Sequence, residues 1–160
     1  PALKIAMLVN HSVEKLDHTS PEVAETIWQL FQLAYRVEAD LLGVSSFPPL
    51  KRSRESIGNS DAEFLGVWEG KVVIAAIEIS RLEDTMLIDS LVVNPEYFRQ
   101  GLAKALFKQV LKNKPGEEIR VYTADKNLHA LSLYKKLGFV ESGNLGSTDS
   151  IDRIELKRSV

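Results

Sequence analysis

The stretch from Thr85 to Ala124 constrains this chain more than any other. Thr85–Val93 reads as an apolar strand that stops at Asn94-Pro95. Residues 101–112 place Leu102, Leu106 and Val110 on one helical stripe, with Phe107 beside it. After a Lys114-Pro115-Gly116 break, Glu118–Ala124 alternates Ile119, Val121 and Thr123 as a second strand. A strand, a helix and a strand in that order predict one parallel crossover.

The flanking segments surround that crossover with antiparallel pairs. Residues 3–9 read as a strand. Ser20-Pro21 offers an N-cap followed by the residue favoured at the first helical position. Val23, Ile27, Leu30, Phe31 and Ala34 then recur at helical spacing, and the helix should reach about Leu42 and stop at Gly43. Residues 47–50 (Phe-Pro-Pro-Leu) should be extended, because a residue before proline avoids the helical region. A short helix is expected around residues 53–58. Residues 64–68 and 71–80 form a hairpin across Glu69-Gly70. Residues 127–137 put Leu128, Leu131, Tyr134 and Leu137 on one side of a helix that ends in Gly138 and Phe139. Two last strands fall near 139–142 and 152–157. The expectation is a mixed α/β sheet, antiparallel at its ends, with one parallel crossover in the middle.

Composition narrows the function. The chain has 160 residues, which fits a single domain over 1–160. Its 20 basic and 22 acidic residues leave a net charge of -2, without the basic excess of a nucleic-acid binder. No cysteine is present, so disulfides, thiolate metal sites and thiol nucleophiles are excluded. The three histidines, His11, His18 and His129, lack helical metal-site spacing, and no metal is expected. The longest apolar run, 72–77, is far short of a membrane span. A secretory signal is not evident, so a cytoplasmic location and no membrane association are expected.

Two stretches carry chemistry. Between Ile88 and Ala103 a strand turns into a glycine-containing helix start, where unpaired N–H groups and a partial positive charge attract phosphate. Gly101 and Ala103 are small and Arg99 adds a charge. The competing reading is a plain tight turn into a helix. In the second stretch Asn127 reads as an N-cap, and Tyr134 as a core residue with its hydroxyl at the edge.

Together the stretches resemble the GNAT superfamily of N-acetyltransferases. The pyrophosphate loop of that family reads Arg/Gln-x-x-Gly-x-Gly/Ala, and Phe98-Arg99-Gln100-Gly101-Leu102-Ala103 occupies its place. The later signature, Asn-x-x-Ala-x-x-x-Tyr followed by Gly-Phe, is met by Asn127, Ala130, Tyr134, Gly138 and Phe139. One departure is Phe98, where the family usually has Arg or Gln.

The resemblance implies the GNAT fold: a mixed, mostly antiparallel sheet with a central splayed parallel strand pair and helices on both faces. It implies acetyl-CoA as co-substrate. Leu91, Val92 and Val93 would run beside the pantetheine arm, and Arg99, Gln100, Gly101, Leu102 and Ala103 would hold the pyrophosphate. Asn127 and Tyr134 would complete the cofactor site. The activity implied is acetyl transfer to a primary amine by direct attack in a ternary complex. Tyr134 would stabilise the departing thiolate. Asp89 would accept the amine's proton, with Glu78 or water as alternatives, and alternation places Asp89 on the strand face of Leu91 and Val93. The acceptor, a small-molecule or peptide amine, would meet Tyr35, Glu38, Asp40, residues 47–50 and Trp68. Lys51, Arg52 and Arg54 read as a solvated basic loop, with an acidic substrate as the alternative. The rival function is a non-catalytic acyl-CoA-binding or sensing module on the same fold. No nucleic-acid partner is expected, and a homodimer is left open.

Overall fold

The computed structural model describes residues 11–113, 116, 118–148 and 151–160. The strand expected over 3–9 and most of the break at 114–116 lie outside them. Helix α1 (Pro21–Leu42) begins with proline in its first turn, where the missing N–H is no loss, and stops at Gly43. A short helix α2 (Arg54–Gly58) follows, capped by Ser53, whose side chain accepts from the Ser56 N–H at 3.1 Å. Helices α3 (Leu102–Lys112) and α4 (Leu128–Lys136) come later. The strands are β1 (Val13–Lys15), β2 (Glu63–Glu69), β3 (Val72–Leu82), β4 (Thr85–Val93), β5 (Glu118–Ala124), β6 (Val140–Thr148) and β7 (Ile151–Ser159).

Among the described residues these strands form one sheet in the order β1-β2-β3-β4-β5-β7-β6. Only β4 and β5 run parallel, across the α3 crossover. Helices cover both faces. On one, Ile27, Leu30 and Phe31 of α1 and Ile57 of α2 pack with Phe64, Val73, Ala76 and Val92. On the other, Leu106, Phe107 and Val110 of α3 and Leu131 and Tyr134 of α4 pack with Ile77, Met86, Ile88 and Val121. Each Val, Leu, Ile, Phe or Met among them stabilises the fold by roughly 1.5–3 kcal/mol when fully buried. This is the architecture that the resemblance implied.

Some local expectations are corrected. Phe47 is extended, but Pro48–Lys51 is a turn of 3-10 helix. Proline's fixed φ suits that conformation as well as an extended one. The hairpin pairs Glu69 with Val72, so its turn is Gly70-Lys71 rather than Glu69-Gly70. Leu128 is 74% exposed, because the first turn of α4 overhangs the core that Leu131 and Tyr134 enter. Strand β1 gave no pattern signal; it is three residues long and mostly exposed.

Candidate active site

The site begins with a defect in the sheet. Glu78 on β3 pairs with Ser90, but Ile79 pairs with Ile88, so Asp89 is an extra residue in β4. Such a bulge bends its strand and raises the local twist. The pairing of β4 with β5 ends at the same point, at Ile88 and Val121. Beyond it Leu91, Val92 and Val93 stay paired to β3, and Tyr122, Thr123 and Ala124 stay paired to β7. The two parallel strands therefore diverge, and among the described residues the β5-facing backbone edge of β4 has no strand partner there. Unpaired strand edges are ready to pair with another extended chain.

The bulge also resets which side chains face which helix. Met86 and Ile88 belong to the α3 core, and Leu91 and Val93 pack against it, while Val92 belongs to the α1 core. Asp89 interacts with Ser80, Glu78 and Arg52. The expectation that Asp89 shares a face with Leu91 and Val93 is thus corrected, since simple alternation fails across an extra residue.

The loop after β4 is shaped by unusual backbone. Asn94 Oδ1 accepts from the Glu96 N–H at 2.9 Å and starts a 3-10 turn, Pro95–Tyr97. Arg99 then adopts φ 62°, uncommon for a residue with a Cβ, and Gly101 adopts φ 77°. Gly101 is the N-cap of α3 rather than its first residue, and it has no side chain with which to cap. The first N–H groups of α3 are left without an intrahelical acceptor. A left-handed residue before a helical one also turns successive N–H groups toward one concave side. A Cβ built on Gly101 would meet nothing within 4 Å. Nearby, the buried Gln100 Oε1 has no hydrogen-bond partner among the described residues, an acceptor that a ligand's donor would satisfy.

Tyr134 is fixed by the end of its own helix. Asn127 caps α4, its side chain accepting from the Ala130 N–H at 3.1 Å. At the other end the Phe139 N–H donates to the Tyr134 carbonyl (3.0 Å) and the Gly138 N–H to the Lys135 carbonyl (3.1 Å). This Schellman pair needs the positive φ of Gly138, 94°. It folds Phe139 back against Tyr134, with ring centroids 5.5 Å apart and edge to face. Burial pushes the Tyr134 phenol above its ordinary pKa, and the nearby Tyr35 and Glu38 push the same way. The group therefore stays protonated.

These pieces line one cleft of about 530 Å³. Leu91, Val92 and Val93, residues 99–103, Asn127 and Tyr134 all line it, as does Glu38 from α1. Asp89 and Glu78 do not. Glu78 is 3% exposed, and its two oxygens accept from both terminal nitrogens of Arg52, each at 2.7 Å. Ser90 Oγ donates to the same carboxylate at 3.0 Å. Asp89 is exposed, yet desolvation and then Glu78 hold its carboxyl above the ordinary aspartate range, against Ser80 and Arg52.

The expected acceptor residues divide. Tyr35 lies near Ser90 and Glu78 and stacks edge-on with Phe47 at 6.0 Å. Glu38 reaches across the cleft, accepting from Asn127 Nδ2 at 2.9 Å. Trp68 packs in the α1 core and Asp40 is exposed. The basic loop is not simply solvated. Arg52 binds Glu78, and Arg54 pairs with Glu25 at 2.8 Å over the Trp28 ring. Two site neighbours escaped the sequence reading. His129 lines the cleft with its ring 5.9 Å from Phe98, and only the approach of the loop before α3 to the first turn of α4 reveals it. Ser90 is turned toward α1 by a bulge that no residue type announces.

No helix among the described residues is long and apolar enough to cross a membrane. Residues 39–159 match the profile of the acetyltransferase (GNAT) domain. The UPF0157 protein YqkA of Bacillus subtilis (strain 168) is 32% identical over 128 residues, which are 79% of this chain and 37% of that protein. The chain thus spans little more than a third of that relative. The PaiA N-acetyltransferase of Thermoplasma acidophilum, solved in complex with coenzyme A, superposes with a TM-score of 0.74 at 23% identity, over 94% of this chain and 99% of that one. The ribosomal-protein-S18-alanine N-acetyltransferase of Escherichia coli superposes with a TM-score of 0.71 at 19% identity, over 94% of each chain. The splayed strand pair, the open helix start and the profile match agree: the chain belongs to the GNAT acetyltransferase family.

Proposed function

We propose that this protein binds acetyl-CoA in the cleft and transfers its acetyl group to a primary amine within a ternary complex. The observation that carries the reading is the meeting, in one cleft, of an unpaired β4 edge, an uncapped α3 N-terminus and the Tyr134 side chain. The backbone of Leu91, Val92 and Val93 would pair with the extended arm of the cofactor. The N–H groups of residues 99–103 would hold its pyrophosphate, with Arg99 adding charge and Asn127 closing the cleft wall. Bound acetyl-CoA supplies an activated acetyl thioester. The amide near Leu91 would polarise the thioester carbonyl, as an oxyanion donor does.

Tyr134 acts as a hydrogen-bond donor to the leaving sulfur rather than as a full acid. Even an unperturbed phenol gives its proton to a thiol-like thiolate uphill by about 2 kcal/mol. Its raised pKa steepens that slope and keeps the donor in place. An alkylamine of pKa about 10.4 must also lose a proton, at a cost of about 4–5 kcal/mol near neutral pH. Asp89 and Glu78 are poorly placed to take it. Glu78 is held by Arg52, and Asp89 does not line the cleft.

Thermal unfolding with acetyl-CoA, followed by turnover on an amine panel, tests this. The panel covers polyamines, amino acids, aminoglycosides and peptides. At a hundredfold excess over Kd the ligand should add about 2.7 kcal/mol of stability. No shift at millimolar acetyl-CoA would refute the cofactor assignment. A shift without turnover on any amine would favour the non-catalytic acyl-CoA-binding reading, in which Phe98 replaces a usual polar contact.

A further inference from the structure

One carboxylate has the geometry that Asp89 and Glu78 lack, and the inference drawn from it rests on the acetyltransferase reading. Glu38 on α1 is the one acidic side chain among the residues lining the cleft. Its Oε1 accepts from Asn127 Nδ2 at 2.9 Å. No described residue hydrogen-bonds its Oε2. Tyr134 lies on the helix that Asn127 caps, and the side chains of Glu38, Asn127 and Tyr134 line the same cleft. Tyr134 feels the charge of Glu38 directly, as does Tyr35.

The cleft's cations are Arg99 and Lys104, at the loop and first turn of α3, and Lys136, at the end of α4. Arg99 and Lys104, beside the open helix start, suit phosphates. Glu38, the one carboxylate, suits a cation. We infer that Glu38 holds the acceptor as an alkylammonium and takes its first proton, so the acceptor is a primary alkylamine with no carboxylate beside the amine. The groups facing Glu38 are Tyr35 from its own helix and Asn127 and Tyr134 from α4. The Arg52–Glu78 pair lies beyond, acting on Tyr35.

The step balances. The ammonium gives one proton to the Glu38 carboxylate, which later releases it to solvent. The freed lone pair of nitrogen forms the N–C bond at the thioester carbonyl. The C–S bond breaks with its electrons on sulfur, beside the Tyr134 hydroxyl. The proton then shed by nitrogen ends on that thiolate, leaving an amide and a thiol. Burial lifts the Glu38 carboxyl above its ordinary range, against the bond from Asn127, which makes it the better proton acceptor.

Glu38→Gln is the test, because a glutamine oxygen can still accept from Asn127. Three quantities are measured for both proteins: acetyl-CoA affinity, butylamine binding to the CoA-bound protein by calorimetry, and kcat/KM for butylamine against pH. Acetyl-CoA affinity should hold. Butylamine binding should weaken, and kcat/KM should fall about 10²-fold near pH 7. That deficit should shrink toward about pH 10, where bulk solvent deprotonates the amine. The wild type should bind 2-aminobutyrate far less well than butylamine. Unchanged kcat/KM in the variant, or equal use of 2-aminobutyrate, overturns the inference while leaving the acetyltransferase intact. A parallel loss of acetyl-CoA affinity also overturns it, because Glu38 then acts only by positioning Asn127. Glu38-dependent butylamine binding with no acetyl transfer supports Glu38 as the amine anchor and overturns the enzyme reading instead. No butylamine binding to the wild type overturns the inference.

Discussion

Ser90 and Leu91 are neighbours on β4, yet they belong to regions whose polar groups are met in opposite ways. On the α1 side, Glu78 takes two bonds from Arg52 and one each from Ser90 and Ser60. That network is closed. On the other side, among the described residues, the β4 edge beyond Ile88 has no strand partner, α3 starts without a side-chain cap, and Gln100 Oε1 is buried without a hydrogen bond. That region is open, and its open groups are mostly backbone. The lesson is that residue type is a poor guide to chemistry here. The closed network uses its charged side chains, Glu78 and Arg52, to build the fold. The open one offers the backbone of leucine, valine and glycine, and can receive a ligand.

The comparison breaks most visibly in stability. Arg52→Ala should cost about 3 kcal/mol, because it strands the carboxylate of Glu78 in the core. Urea denaturation measures this, and acetyl-CoA affinity of the folded variant should be little changed. A loss confined to affinity would mean that the network is part of the site. Next comes Tyr134→Phe, which keeps the ring against Phe139 and removes one donor. It should lower kcat about 10²-fold with stability and acetyl-CoA affinity unmoved. Full kcat in that variant would make Tyr134 a core residue only.

Gly101→Ala should act on both quantities. The left-handed backbone at φ 77° makes a Cβ cost about 1–2 kcal/mol. The Cβ also enters open space at the helix start, so acetyl-CoA affinity should drop about tenfold, or ~1.4 kcal/mol. Isothermal calorimetry with unchanged affinity would refute the pyrophosphate assignment. Asn127→Ala removes the α4 cap and should cost about 1 kcal/mol in the same denaturation assay.

Asp89→Asn should have the smallest effect, and pH reveals it. The folded state holds the Asp89 proton more tightly than the unfolded state does. As pH rises from the ordinary aspartate pKa through the raised one, the folded state alone keeps its proton and the wild type loses stability. Above that window the loss is complete. The asparagine variant lacks this slope, so its stability relative to wild type should climb through the window and then level off. Equal slopes for the two proteins would show that Asp89 titrates alike in both states.

Much of the frame was legible in residue spacing. The bounds of β4, β5 and α1 follow from apolar periodicity and from Pro21, Gly43 and the Asn94-Pro95 stop. Gly138-Phe139 announced a helix end, and the structure adds that this end positions Tyr134. Face assignment beyond Ile88 was not legible. Period-2 alternation holds only in an unbroken ladder, and the extra residue at Asp89 is defined by its β3 partner rather than by its own identity. The fate of Arg52 was hidden for a similar reason. Its counter-charge lies 26 positions away in sequence.

The sequence by itself determined where the strands and helices lie, that one crossover is parallel, and that a glycine-started helix follows the central strand. Those follow from local sterics and from short-range burial patterns, which neighbouring residues settle among themselves. Tertiary structure decided which polar groups are left open. It splayed β4 from β5 at the bulge, closed Glu78 with Arg52, and set Glu38 against Asn127 across the cleft. Whether a buried group is satisfied depends on partners brought together by the whole sheet, and no local pattern encodes that.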